Sequence, residues 1–214
     1  MYEILNITNG EYFNDYFLTK FGGVAIPFCE AMMDGGTVSE IYSKKFIEMR
    51  AMALRVECDE YISKMYVPIA LAKKDYAKVC LWFGKDTFCQ TNLLTLLAYL
   101  EQIEYSGDVT LNYIDDETFE VIEVNISVAL GGYKELYEKI LIEKRGVGDC
   151  GVLVKRAFEL YFDYLSDDGA LAQSVRENAD KDDMEIISIL LEKSIEYGLS
   201  DLQAENLVRK YKNN

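Results

Sequence analysis

The sequence predicts an α/β protein whose first part is a mostly parallel sheet, Rossmann-like or flavodoxin-like, with helices on both faces. Short apolar runs alternate with segments of helical periodicity up to about residue 130, and only helical patterns follow. Such alternation implies parallel strands joined by right-handed crossovers, because each helix returns the chain to the start of the next strand. The remaining residues should form an all-helical carboxyl-terminal region.

The clearest element is the stretch 79–103, VCLWFGKDTFCQTNLLTLLAYLEQI. It opens with a continuous apolar run, which is typical of a strand that is buried on both faces. Gly84 interrupts this run, and Asp86 is placed to cap a helix whose apolar stripe begins at Cys89. This strand, turn and helix should put Lys85 and Asp86 at the carboxyl end of the sheet, where α/β folds bind ligands.

The other strands of the predicted sheet are shorter. The first strand should pair with the third, so that the switch point of the sheet lies between them. Helices are expected between the strands, with Ser39 as the N-cap of a long one and Pro68 as a kink in the next. The predicted strands span residues 2–8, 24–28, 79–83, 109–114 and 119–128, and the predicted helices span 11–20, 39–58, 59–74 and 86–103.

The sequence pattern changes near residue 130, where Gly131 and Gly132 provide a hinge signal. We therefore predict two domains, an α/β domain over residues 1–130 and a helical domain over 131–214 that packs on it. Close packing is expected because the apolar positions of these helices need a surface to cover. The helices are predicted at 133–145, 150–166, 168–178, 182–197 and 200–212.

Composition excludes several classes of function. The formal charge of −15, from 37 acidic and 22 basic residues, repels phosphate backbones and argues against nucleic acid as a partner. The chain has no histidine, which excludes Ser-His-Asp catalysis and histidine ligation, and no metal site is expected. Its five cysteines form no C-x-x-C pair and suit a reducing, cytoplasmic setting. No apolar window is long enough to span a membrane, so no membrane partner is expected.

Polar residues follow each of the first three predicted strands, and we interpret them as one candidate site. Because the carboxyl ends of parallel strands converge at one edge of a sheet, residues far apart in sequence can meet there. Arg50 would reach the same edge if its helix packs on that side. A glutamate, an arginine and an aspartate there would suit a small ligand with an anionic part and a hydroxyl or amino part. The ligand-binding candidates are Asn9, Gly10, Glu30, Arg50, Lys85, Asp86 and Gln90.

The candidates on the central helix also have structural explanations, which the sequence alone leaves open. Asp86 is an ordinary helix N-cap, and it can be a cap and a site residue at once. Gln90 lies one turn further on the same helical face and can bond Asp86 or backbone without any ligand. Cys89 near a helix amino terminus is a candidate reactive thiol, but its place on the apolar stripe favours a buried small side chain.

The other candidates have equally ordinary explanations. Asn9 and Gly10 form a turn signal, and Glu30 with Arg50 can be a surface ion pair. No glycine-rich dinucleotide fingerprint and no P-loop occurs in the sequence, so a conventional nucleotide motif is missing.

The segment LWFGKDTFCQTNLLTLLAYL resembles the most distinctive motif of the bacterial domain-of-unknown-function family number 1835. Further resemblance lies in Asn9-Gly10 after the first strand, in CEAMMDGG after the second, in Arg50 within FIEMRA, and in LGGYKELYEKILIEK and YGLSDLQAENLV. The resemblance implies an α/β domain with a helical tail, a bacterial cytoplasmic origin and no established reaction. Many members carry an acidic–histidine pair where this chain has Gly84 and Lys85, which puts any chemistry of that histidine in doubt here.

Two functions from different classes remain open on the sequence. One is a ligand-binding domain, with or without enzymatic activity, that holds a small anionic metabolite or nucleotide at the carboxyl edge of the sheet. Asp86 would then be a base or hydroxyl binder, and Arg50 an anion clamp. The alternative is a non-enzymatic regulatory or protein-interaction module whose helical tail meets a partner. The sequence identifies no cofactor and no catalytic residue, and it leaves a homo-oligomer open.

Overall fold

The computed structural model of the chain describes residues 2–73, 76–146 and 148–212. Its centre is a five-stranded sheet in the order β2-β1-β3-β4-β5. The strands are β1 (Tyr2–Asn9), β2 (Ala25–Phe28), β3 (Tyr76–Phe83), β4 (Asp108–Ile114) and β5 (Val121–Ser127). The first four strands are parallel, so the predicted mixed α/β fold with a mostly parallel sheet is confirmed.

The strand order places β1 and β3 side by side, as the sequence predicted. In this parallel pair Leu5 lies opposite Val79, and Ile7 lies opposite Leu81. All four side chains are fully buried, because both strands are inner strands of the sheet. The chain goes from β1 to β2 on one side and later enters β3 on the other side. The connections therefore diverge at the carboxyl end of β1, where open α/β sheets have a crevice.

β5 runs antiparallel to β4, because only the short connection 115–120 joins them. A parallel strand would need a crossover of about a dozen residues or more. Asp115 holds the turn, since its carboxylate accepts hydrogen bonds from the N–H groups of Glu117 and Thr118 at 3.1 and 2.8 Å. This tight hairpin leaves Asp116 beside the end of β3, next to Gly84.

The helix that follows β3, α5 (Thr87–Gln102), is buried on nearly every side. One side covers the sheet, and the other is covered by α6 (Tyr133–Tyr137) and α7 (Lys155–Leu165). A helix enclosed in this way needs no polar face, which explains why Leu94 and Leu96, on nearly opposite sides of it, are both fully buried. α5 is therefore the element around which the rest of the chain packs.

The opposite face of the sheet is covered by α1 (Glu11–Phe21). Phe17 of this helix lies 5.1 Å from Trp82, between ring centroids, and belongs to a small cluster with Ile114. The indole N–H of Trp82 donates to Asn6 Oδ1 at 3.0 Å. Trp82 is therefore a packing residue of this second, smaller core.

α2 (Lys44–Leu54) is shorter than the helix predicted over 39–58. Ser43 is its N-cap, and its hydroxyl accepts a hydrogen bond from the Phe46 N–H at 3.2 Å. The prediction that Ser39 caps this helix is wrong, because Ser39 lies in the irregular segment before it. Both serines have the same capping chemistry, and sequence spacing alone did not separate them.

The segment predicted as one helix over 59–74 is divided, as Pro68 suggested. It consists of α3 (Cys58–Tyr61), a π-helical turn (Ile62–Tyr66), α4 (Val67–Ile69) and a 3₁₀ turn (Ala70–Lys73). Proline has no N–H to donate, and its ring crowds the carbonyl of the preceding turn, which accounts for the widened geometry.

Beyond β5 the chain is mainly helical, and α6 continues into a π-helical turn (Glu138–Ile142). The later helices are α7, α8 (Ala170–Glu177), α9 (Asp183–Lys193) and α10 (Asp201–Tyr211), with a 3₁₀ turn (Ile195–Tyr197) before the last. The prediction of a region that is helical throughout is wrong for residues 143–146 and 148–154. Gly151 there has a positive φ of 58°, which suits a turn and not a helix.

One apolar core includes residues on both sides of position 130. Leu97 of α5, Phe158 and Tyr161 of α7, and Leu207 of α10 all belong to it. The domain boundary at 130 stays a prediction, since the core is continuous there. In the described ranges, no helix combines the length and the apolar character that a membrane span requires.

Candidate functional site

Three side chains meet at the carboxyl ends of β3 and β4. Asp86 begins α5, and its Oδ1 accepts a hydrogen bond from the Cys89 N–H at 2.9 Å. Asp116 arrives from the hairpin after β4, and the Cys89 thiol donates to its Oδ1 at 3.3 Å. One ligand-type atom from each of the three residues lies within 4.8 Å of the other two. We call Asp86, Cys89 and Asp116 the Asp86–Asp116 cluster.

Two glycines, which have no side chain, make room for these carboxylates. A Cβ on Gly84 would overlap the carboxylate of Asp116, and a Cβ on Gly198 would overlap that of Asp86. Gly198 also has a φ of 65°, in the left-handed region that favours glycine. The end of β3 and the segment between α9 and α10 are therefore both shaped around the cluster.

The two carboxylates are close enough to affect each other's ionisation. Desolvation, followed by the hydrogen bond to Asp86 and the charge of Asp86, raises the pKa of Asp116 to about 8. Asp116 as a residue is exposed, but its carboxylate is turned toward Cys89 and Gly84, which accounts for the desolvation. At neutral pH the carboxylate pair therefore holds one proton.

Cys89 is a hydrogen-bond donor in this cluster and not a nucleophile. Burial, together with the charges of Asp86 and Asp116, raises the pKa of its thiol well above the usual range. The helix amino terminus does not outweigh these effects, so the reactive thiolate considered from the sequence has no support.

A chain of side-chain hydrogen bonds continues from the cluster along the edge of the sheet. Asn9 Nδ2 donates to Cys89 Sγ at 2.9 Å. Asn92 Nδ2 donates to Asn9 Oδ1 at 3.0 Å and to the Glu30 carbonyl oxygen at 2.5 Å. The Met32 N–H donates to Asn92 Oδ1 at 3.0 Å, which fixes the orientation of both amides. Asn9 thus occupies the acceptor side of the sulfur and directs the thiol hydrogen toward Asp116.

The cluster opens into a cavity of about 840 Å³ between the sheet and the carboxyl-terminal helices. Asn9, Asp86 and Asp116 form its polar floor. Most of its walls are apolar, and the residues that supply them are Phe88, Ile122, Leu160, Leu191, Ile195 and Leu199. Because several of these residues lie beyond position 130, the cavity needs both parts of the chain.

Acidic residues outnumber basic residues in the lining of this cavity. Its two basic residues already have acidic partners. Lys85 Nζ lies 3.6 Å from a Glu123 carboxylate oxygen, and the Arg156 guanidinium lies 3.7 and 3.8 Å from those of Glu159 and Glu196. The lining is therefore electronegative, and its described residues offer no unpaired basic side chain to an anion.

Gln90 lies behind the cluster, outside the cavity lining. It is fully buried, its Nε2 donates to the Gly84 carbonyl at 2.6 Å, and its Oε1 accepts from the Val154 N–H at 2.9 Å. Thr87 Oγ1 similarly donates to the Ala157 carbonyl at 3.0 Å. Gln90 and Thr87 thus tie the start of α5 to the segment that begins α7, which is the structural explanation of Gln90.

Glu30 and Arg50 form a separate buried network. Arg50 is fully buried, and its Nε donates to Glu30 Oε2 at 3.0 Å. Its other two nitrogens donate to the carbonyl oxygens of Ala31, Asp34 and Gly36 at 2.8, 2.6 and 3.3 Å. Each guanidinium nitrogen thus has a protein acceptor, and Arg50 holds the 31–36 segment in place instead of lining the cavity.

The carboxylate of Glu30 is equally occupied. Its second oxygen accepts a hydrogen bond from the Tyr61 hydroxyl. Burial raises the pKa of Glu30, while the charge and hydrogen bond of Arg50 act in the opposite direction. We call Glu30, Arg50 and Tyr61 the Arg50 network.

The predicted site residues are divided between two cavities. A second cavity of about 330 Å³ is lined by Gly10 and Glu30, and it shares Asn9 and Phe88 with the larger one. Gly10 lies at the start of α1 with a φ of 86°, and its N–H donates to the Phe28 carbonyl at 3.0 Å. Lys85 and Asp86 line the larger cavity, and Arg50 and Gln90 line neither.

Asp116 is the candidate that sequence reasoning missed, because two consecutive aspartates between predicted strands, Asp115 and Asp116, are typical of a turn. That interpretation fits Asp115, which holds the hairpin. Asp116 directly follows the turn residue at the end of β4, and β4 pairs with β3. An acidic residue just after a strand predicted in the same sheet was the signal that could have identified it.

Comparison of the chain with protein-family models, with curated proteins and with solved structures finds no significant match. The resemblance to the bacterial family described above therefore stays a prediction, and function has to be argued from the geometry.

Proposed function

We propose that this protein binds a small molecule in the cavity of about 840 Å³ at the carboxyl edge of its sheet. The observation that carries the proposal is the Asp86–Asp116 cluster. Its two carboxylates face each other at the floor of a cavity, although like charges in a partly desolvated place oppose folding. Arrangements that oppose folding and perturb a pKa are concentrated at binding and catalytic sites.

The position of the cavity supports the same proposal. The strand order 2-1-3-4-5 is that of flavodoxin-like folds, which bind ligands beside the carboxyl ends of β1 and β3. Asn9 ends β1 and Asp86 follows β3, and both line the cavity. The antiparallel fifth strand is a departure from that pattern, and its hairpin supplies Asp116.

The lining favours a ligand different from the anionic metabolite or nucleotide that the sequence suggested. Arg50, the expected anion clamp, lies outside the cavity, and the basic residues within it are paired with acids. Hydroxyl and amino groups suit the carboxylates of Asp86 and Asp116 better, because they donate hydrogen bonds. If the ligand is a substrate, Asp116 is the residue suited to acid–base chemistry, since its pKa of about 8 permits proton transfer near neutral pH.

A protein-interaction module is the second candidate, and one observation favours it. β5 is an edge strand, and it exposes Ile122 and Val124 by 54% and 55%. Exposed apolar edge strands can pair with another chain. Asn125 opposes such pairing, because its positive φ and the shifted register around it interrupt the edge. We therefore place small-molecule binding first.

The test is a thermal-shift screen of the full chain against a broad metabolite panel. A ligand present at a hundred times its Kd should add ~2.7 kcal/mol to the free energy of unfolding. The variant Ile122→Trp should narrow the cavity, because Ile122 lines it, and Val124→Trp is the matched control on the same exposed strand outside the lining.

Hits that stabilise the wild type and Val124→Trp, but not Ile122→Trp, would support binding in the cavity. A panel without hits, or hits that Ile122→Trp retains, would contradict it. If Val124→Trp instead disrupted an association of the protein, the second candidate would take precedence.

A further inference from the structure

The floor and the walls of the larger cavity differ in polarity, and the difference identifies a class of ligand. The floor presents the carboxylates of Asp86 and Asp116, whereas Leu160, Leu191 and Leu199 belong to the walls. A molecule that matches both has a polar head and an apolar body. Without an apolar body it would leave the leucine walls in contact with water, and without a polar head it would leave the carboxylates unpaired.

The charge of the lining determines the charge of the head. The carboxylate pair remains negative after it has taken up one proton, and Lys85 and Arg156 are engaged with acids of their own. An alkylammonium group carries one positive charge and up to three N–H donors, so it can bond both carboxylates at once. A carboxylate or phosphate head would meet like charge.

A divalent metal ion is less well matched to the same residues. The Cys89 thiol stays protonated, and the Asn9 amide presents its N–H group, not its oxygen, toward the sulfur. Only the carboxylates of Asp86 and Asp116 are then available as ligands, and Asp86 Oδ1 is already the cap of α5. Hard divalent cations take about six oxygen ligands, so water would have to supply most of the coordination shell, and a hydrated ion would leave the leucine walls uncovered.

We propose that the cavity binds an amphiphilic amine, with its ammonium head on Asp86 and Asp116 and its alkyl or aryl body against Leu160, Leu191 and Leu199. The inference rests on the proposed function, whose ligand class it names. It also explains why two carboxylates are brought together, because a cation between them relieves their repulsion.

Amine binding should be linked to proton release. An ammonium ion favours the doubly ionised pair, so it displaces the proton that the pair holds at neutral pH. The affinity should therefore rise as the pH is raised from about 6 to about 8, and fall again above about 10, where an amine loses its own proton. A neutral ligand of the same shape should not show this rise.

The experiment is isothermal titration calorimetry of the full chain with hexylamine, hexan-1-ol and hexanoate, which share one alkyl chain. Magnesium and calcium chloride test the metal alternative. Since hydrogen bonds to charged groups contribute about 1.5–3 kcal/mol, hexylamine should bind at least roughly tenfold more tightly than hexan-1-ol. Hexanoate should not bind. Hexylamine should also release protons at pH 7, as titrations in buffers of different ionisation enthalpy would reveal.

The variant Asp86→Asn/Asp116→Asn removes the negative charge of the pair, and asparagine keeps the helix cap. Its control is Asp168→Asn/Asp180→Asn, which replaces two exposed acids outside the cavity and so reduces the net negative charge by at least as much. The first variant should lose at least roughly tenfold in hexylamine affinity, and the second should lose none. If the first variant failed to fold, the pH dependence of hexylamine binding to the wild type would still decide.

The outcomes separate this inference from the proposed function. Equal binding of hexylamine and hexan-1-ol, or panel hits in the cavity that are all anionic or neutral, would overturn the amine class but keep a small-molecule site. Binding of a divalent cation that the double variant abolishes, without amine binding, would also overturn it. If neither these probes nor any member of the panel bound, both proposals would be wrong.

Discussion

The Arg50 network and the Asp86–Asp116 cluster look alike in the sequence, where both appear as charged residues near strand ends. In the structure they are opposites. The network brings together unlike charges, is closed to solvent and gives each Arg50 nitrogen a protein acceptor. The cluster brings together like charges and faces a cavity. Residue type alone therefore does not distinguish a structural group from a candidate binding group. What distinguishes them is whether each charged group has a partner of opposite charge and a full set of hydrogen bonds.

The difference predicts opposite effects on stability. In the Arg50 network a substitution removes a partner from a buried charge, which is strongly destabilising. In the cluster a neutral substitution removes a repulsion, so the folded state should gain stability although binding is lost.

The largest effect is expected for Arg50→Met. It leaves the Glu30 carboxylate buried without its cation and removes the guanidinium donors from three carbonyl oxygens of the 31–36 segment. Loss of one partner of a buried ion pair costs about 3–5 kcal/mol, which chemical denaturation would measure. Lys44→Met is the control, because Lys44 is an exposed cation of the same helix with a partner one turn away. A loss below about 1 kcal/mol in Arg50→Met would reduce the network to an ordinary surface pair.

Two buried tyrosines, Tyr61 and Tyr99, should also differ in how much stability they lose when the hydroxyl group is removed. The Tyr61 hydroxyl donates to Glu30, while in the described part of the chain the Tyr99 hydroxyl is buried without a hydrogen-bond partner. Tyr61→Phe should therefore cost about 1–3 kcal/mol, because a buried charged acceptor loses its donor. Tyr99→Phe should be neutral or gain up to about 1 kcal/mol, because an unmatched polar group is removed. Equal losses in the two variants would show that hydrogen-bond matching does not control stability here.

The sequence predicted the elements whose determinants are local. The apolar run of β3 and the capping aspartate of α5 lie within a few residues of each other, and both are as expected. The alternation of strands and helices likewise predicted the pairing of β1 with β3. The cap of α2 was misplaced because two serines compete for one role, and only the packing of the helix decides between them.

The candidate site depended on contacts that no local pattern records. The approach of Gly198 to Asp86 joins segments that are far apart in the chain. Whether Arg50 faces the strand ends or the 31–36 segment depends on how α2 packs, and the sequence left this orientation open. Asp116 was missed because the turn signal of Asp115 accounted for both aspartates at once.

Asp116→Asn should raise stability at alkaline pH. Asp116 has a folded-state pKa of about 8, above its ordinary value of 3.8, so the folded state holds more protons between these values. The stability that Asp116 contributes is fully present when the pH is below its ordinary pKa of 3.8, and it is lost as the pH rises through about 8. Asparagine, like the protonated acid, carries no charge, so the variant should keep that stability at pH 9. Its free energy of unfolding should then exceed that of the wild type by about 1 kcal/mol, after allowance for solvent screening. Denaturation curves of variant and wild type at pH 5 and pH 9 would measure it.

The neighbouring variant Asp115→Asn is a control of opposite sign. Hydrogen bonds from the backbone and side chain of Thr118 lower the pKa of Asp115. The contribution of Asp115 is therefore present above its ordinary pKa and lost as the pH falls through the lowered value. Asp115→Asn should weaken the hairpin at neutral pH and not at very low pH. If both aspartate variants behaved alike, the cluster would not be special among the acids of this turn.

The smallest effect on stability, and the sharpest test of the comparison, is expected for Gly84→Ala. Its Cβ would occupy the place of the Asp116 carboxylate, and this carboxylate is the end of a side chain on an exposed turn, so it can swing away. Because Gly84 does not have a positive φ, the alanine backbone is not strained, and the free energy of unfolding should change by less than about 1 kcal/mol.

In Gly84→Ala, Asp116 would leave Asp86 and return to water, and its pKa should fall toward the ordinary range. A carbon-13 NMR titration of the aspartate carboxyl groups would follow this fall directly. Gly146→Ala is the control, because Gly146 lies outside the cavity lining, lacks a positive φ and has open space for a Cβ. An Asp116 pKa that stayed near 8 in Gly84→Ala would mean that burial alone, without the contact to Asp86, sets it. The cluster would then lack the like-charge coupling that distinguishes it from the Arg50 network.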